Sequence, residues 1–93
     1  MDALTLNDFA GHVGGQFQTN AEGAELTLVL EAAEALSGSP REGGAFRLVF
    51  RGPLDPVLPQ AIYPLSAADV SHDIFIVPIA QGEAGIEYEA VFF

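Results

Sequence analysis

Apolar and polar residues alternate along much of the chain with a period of two, the spacing of a strand that buries one face. The clearest case lies in residues 45–65, which read as a strand, a stiff corner and a second strand. Phe46, Leu48 and Phe50 alternate with Arg47, Val49 and Arg51, so the first three share one face and the two arginines share the other. Gly52-Pro53 stops this strand, because proline has no N–H to give to a ladder. Pro56 and Pro59 stiffen the crossing that follows. Nearer the N-terminus, residues 16–20 read as a first strand and Ala21-Glu22-Gly23 as its turn. The run 24–36 carries helix-favouring glutamates and alanines, but Leu26, Leu28 and Leu30 alternate with Thr27, Val29 and Glu31. The preceding turn also suits a hairpin, so the pattern predicts a strand over residues 25–34, long enough to bend and let the sheet curl.

Towards the C-terminus, residues 72–79 are almost continuously apolar. Such a strand is covered on both faces, or meets a partner on one of them. Pro78 places its end at an edge or a bulge. Residues 81–85 form a hairpin loop, and residues 86–93 the last strand, with Ile86, Tyr88, Ala90 and Phe92 inward and Glu87 and Glu89 outward. The stretch 5–12 differs. Thr5 is a candidate cap, Asp8 follows three residues later, and Leu4 or Leu6 with Phe9 supplies an apolar side, which together predict a short helical turn. Gly11, Gly14 and Gly15 end it; their spacing is that of turn punctuation and not of a phosphate loop. Residues 37–44 hold serines, glycines and a proline and predict a flexible loop. Six short strands joined by mostly hairpin-like links indicate an all-β fold: a small six-stranded antiparallel barrel or barrel-like sandwich, a single domain over residues 1–93.

Charge narrows the partners. Thirteen acidic residues face three basic ones, for a net charge of −10. All three bases are arginines, Arg41, Arg47 and Arg51. Phosphate binding needs clustered positive charge, so nucleic acid and anionic membrane surfaces are poor partners. There is no cysteine, which removes disulfides and thiolate metal sites. No basic and apolar leader opens the sequence and no apolar run is long enough to span a bilayer, so cytoplasmic synthesis without membrane insertion is expected, with incorporation into a particle left open.

Candidate chemistry is sparse. Asp69-Val70-Ser71-His72-Asp73 has the opening of a calcium loop, but Ile74 stands where glycine is needed and Ala80 where the closing acid belongs. Only a looser oxygen site at Asp69 and Asp73 survives, against the plainer reading of a polar turn. Ser71, His72 and Asp73 are consecutive, so their side chains do not converge as a triad. Glu87 and Glu89 lie about 7 Å apart by strand rise, on a face expected to be solvated, where nothing tunes their pKa values. The expectation is therefore a non-enzymatic protein without a cofactor or a firm metal site. Arg47 and Arg51 have natural cross-strand partners in Glu25, Glu31, Glu87 and Glu89, each pair contributing roughly 0.2–1 kcal/mol. They are also candidates for contact with another subunit. Val91 and Phe93 point outward at the C-terminal strand and either meet a partner or, for Phe93, fold over the barrel end as a plug.

The segments Phe46-x-Leu48-x-Phe50-x-Gly52-Pro53, Leu58-Pro59-Gln60-x-x-Tyr63-x-Leu65, Phe75-x-Val77-Pro78 and Tyr88-Glu89-Ala90-Val91-Phe92, with Leu6-x-Asp8-Phe9 and Val13-Gly14 before them, span nearly the whole chain. Together they resemble a small bacterial domain family of unknown function, found near genes for phage tail-collar-like proteins. The resemblance implies protein partners of that kind and an accessory, capping or assembly role in a fibre or related surface assembly. It brings no functional residues with it. The alternative is a barrel that binds a small ligand or a divalent cation.

Overall fold

The computed structural model describes residues 6–21, 23–36, 45–55, 57–67 and 70–92. One helical turn, α1 (Asn7–Ala10), precedes six strands: β1 (Gln16–Ala21), β2 (Ala24–Leu36), β3 (Ala45–Gly52), β4 (Ala61–Ala67), β5 (Val70–Gly82) and β6 (Gly85–Phe92). They close into a barrel in the order β1-β2-β3-β6-β5-β4, with every neighbouring pair antiparallel. Closure leaves no full-length open edge to template aggregation. Four of the five links join neighbouring strands. The link from β3 to β4 does not: those strands stand on opposite sides of the ring, so the proline-rich stretch between them crosses one end of the barrel. The expected loop at 37–44 lies outside the described residues, as do Asp69 and Phe93.

Two long strands bend by changing phase. In β2, Leu28 and Leu30 point inward, and the register then shifts between Leu30 and Ala32. Beyond the shift the inward positions are odd: Ala33 pairs with Leu48 and Ala35 with Phe46. One extra residue, Glu31, switches the inward-facing set from even to odd, as a bulge must in a period-two structure. A second shift lies between Pro78 and Ala80 of β5, where proline's missing donor costs least. Both strands run to 13 residues, further than alternation alone indicates. Their neighbours are staggered: β1 pairs with residues 24–29 of β2 and β3 with residues 29–36.

The inward side chains, among them Phe17, Leu28, Leu30, Leu48, Phe50 and Tyr88, form one buried cluster. Each end has its own plug. At the start of β3, Phe9 of α1 is fully buried, with its ring 5.9 Å from Phe46, 6.2 Å from Phe92 and 5.7 Å from His72. Phe46 and Phe92 are stacked at 4.4 Å. The helical turn thus exists to deliver Phe9. Its cap position falls on Leu6, whose carbonyl accepts from the N–H groups of Phe9 and Ala10, with no side-chain cap; the expected cap, Thr5, lies outside the described residues. At the other end, the crossing buries Leu58. Its N–H donates to the Tyr88 hydroxyl at 2.9 Å, and the Tyr63 hydroxyl donates to the Pro59 carbonyl at 2.7 Å. Two tyrosines therefore satisfy the polar backbone of a segment that has no ladder of its own. Where β3 meets β6 at this end, an added Cβ at Gly85 (φ 144°) would collide with the Gly52 carbonyl oxygen, so both strands approach there as only glycine allows.

Candidate interaction surface

With the interior occupied by side chains, the outer wall is what the barrel presents. It has two parts. On β2, β3 and β6 it is a lattice of ion pairs. Arg47 Nη1 lies 2.6 Å from Glu34 Oε1, and its Nε donates to Glu89 Oε2 at 2.5 Å. The register explains both, because Arg47 pairs with Glu34 on one side and stands one outward step from Glu89 on the other. These hydrogen bonds, Glu89 first and then Glu34, raise the Arg47 pKa above the usual arginine value. Arg51 Nη1 lies 2.9 Å from Glu31 Oε2. The β2 bulge supplies that partner. Of the partners expected from sequence, Glu31 and Glu89 are used; Glu34 joins them. Glu25 sits opposite Asn20 on the β1 side, and Glu87 is the register partner of Arg51, whose Nη1 is paired with Glu31. Between the arginines lies Val49, an outward residue that is nonetheless buried. Its register partners are Glu89 and Ala32, and the arginine stems on either side cover it.

On β4 and β5 the wall is bare. Ile62 pairs directly with Phe75; Ile62 is 66% exposed and Phe75 51%. Val77, half-buried, continues the same face of β5, and Ile79, which the bulge adds, is exposed. Val91 of β6 is exposed and pairs with Arg47, so it stands where the two walls meet. The sequence-derived contact candidates Arg47, Arg51 and Val91 thus fall on one side of this boundary or on it. Ile62 and Phe75 were not among them. Their signal was present: Ile62 alternates with Tyr63, and the unbroken apolarity of residues 72–79 left open that one face meets a partner.

The remaining candidates are dispersed. Asp73 is exposed opposite Pro64, and Ser71 shares a 3.2 Å hydrogen bond with Ser66 across the same hairpin. His72 faces the Phe9 plug. His12 lies edge-on against Phe17 at 5.8 Å. Among the described residues, no three histidine, aspartate or glutamate side chains are grouped to hold a metal ion. An open depression lies between Arg51, Glu31, Glu87 and the β5–β6 turn. The model of one protein family, described as a domain of unknown function (DUF6916), matches residues 4–92. The chain belongs to that family. No curated protein and no solved structure matches it. For the DUF6916 family this barrel supplies a frame: the Leu58-Pro59-Gln60 segment is the crossing that plugs one end, and Tyr88 to Phe92 is the strand that holds it.

Proposed function

We propose that the chain is a non-enzymatic interaction module, serving as an accessory, capping or assembly subunit for a tail-collar-like fibre or related surface assembly. One observation carries the reading: the barrel interior is filled by its own side chains, while Ile62 and Phe75 stand exposed side by side on its wall. A ligand-binding barrel keeps its interior open, and monomers rarely leave adjoining large apolar residues in water without use. The tail-collar context rests on the sequence resemblance alone. Of the contact candidates read from the sequence, Val91 stands where the two walls meet and Arg47 and Arg51 on the ion-paired wall; Phe93 lies outside the described residues. Co-expression with the products of neighbouring genes, followed by size-exclusion chromatography, tests the reading. Co-elution in a defined stoichiometry is expected; a monomer that binds none of them under assembly conditions contradicts it.

A further inference from the structure

We propose that Ile62, Phe75, Val77 and Ile79, continued by Val91, form a docking surface for a protein segment that inserts apolar side chains and surrounds them with lysines and arginines. This rests on the reading of the chain as an interaction module and names the surface and the partner's chemistry. The surface is continuous by register: Ile62 pairs with Phe75, Val77 follows two residues on along β5, and the bulge places Ile79 beyond it. Phe75 offers an aromatic anchor of the kind that dominates interface energetics.

The charges around this surface choose the occupant. Asp73 lies two residues before Phe75 and is exposed; Glu89 pairs with Val77 and Glu87 with Ala80. Among the described residues, Arg47 opposite Val91 is one positive charge shared by two carboxylates, Glu34 and Glu89, so that cluster is itself net negative. The rim is therefore negative, and so is the whole chain at −10. A second copy would bring the same carboxylates against one another across a two-fold axis, where like charges cost several kcal/mol. A partner of opposite charge gains orientation and association rate from the same groups. The anchor is apolar and the rim is acidic, so the segment that fits has apolar residues within a basic border.

Titration of the intact, isotopically labelled chain with two synthetic peptides tests this by amide chemical shifts. One peptide alternates valine with lysine; the other, of equal length, alternates valine with glutamate. The lysine peptide is expected to shift the amides around Ile62, Phe75 and Val77, and the glutamate peptide to bind at least about tenfold more weakly. The variant I62T/F75T, which places a strand-favouring β-branched residue at both positions, is expected to weaken the lysine peptide at least about tenfold with its other amides unmoved; F75T alone serves if the double variant unfolds. Shifts confined to another face, equal binding of the two peptides, or undiminished binding by the variant each overturn the proposal. So does concentration-dependent shifting of the same amides without peptide, which assigns the wall to a second copy. If the proposal fails while neighbouring gene products still co-elute, the contact lies on another face and the module stands; if both fail, the module falls with it.

Discussion

Val49 on β3 and Phe75 on β5 both point away from the barrel interior, yet Val49 is 7% exposed and Phe75 51%. Both are outward apolar positions on a strand; their neighbours differ. Val49 lies between two arginines whose long stems are held in place by Glu31, Glu34 and Glu89. Phe75 lies between Asp73 and Val77 and faces Ile62, and none of these reaches over it. The chain has three basic residues in all; two of them lie on the outer face of β3, and among the described residues the ion pairs they make cover that wall. The comparison separates two uses of an outer sheet face: one is closed by charge networks that pin the register, and the other is left apolar for something to cover.

Substitutions probe this contrast against the interior that both walls share. The largest effect on stability is expected from Leu58→Ala at the barrel end, about 2–5 kcal/mol, read by urea denaturation. Next come matched valines on the two walls. Val49→Ala is expected to cost about 1–2 kcal/mol, and Val77→Ala under about 0.5 kcal/mol; equal losses would break the distinction. Arg47→Leu removes two partly exposed ion pairs and is expected to cost up to about 1 kcal/mol, with the difference shrinking as salt rises. The smallest effect should come from Thr19→Val in the interior. Thr19 is buried and its hydroxyl finds no partner among the described residues, so a methyl of similar shape should be neutral or stabilising by up to about 1 kcal/mol.

Alternation made the strands legible, and proline with glycine marked where they stop or kink. Phe46, Leu48 and Phe50, and the bulge beside Pro78, follow from period two and a missing donor. The ring order was hidden, because residues 53–60 carry no sign of whether they turn back or cross. The far end of β2 was hidden as well: Ala33 and Ala35 are small, and the bulge at Glu31 reverses the phase that Leu26, Leu28 and Leu30 establish. The Tyr88 hydroxyl looked like part of a core face, since its use is settled by a backbone N–H 30 residues away. On the surface, the arginines and their acidic partners could be anticipated. That Phe75 would be bare and Val49 covered depends on cross-strand neighbours, which only the barrel's register supplies.

The contrast between the walls meets its most direct test in the amide spectrum of I62T/F75T titrated with the valine–lysine peptide. A native-like spectrum that the peptide no longer shifts is the predicted result, showing a wall that binds and does not hold the fold. A native-like spectrum shifted as in the unsubstituted chain would contradict it, and a collapsed spectrum for both I62T/F75T and F75T would show that the wall belongs to the fold itself.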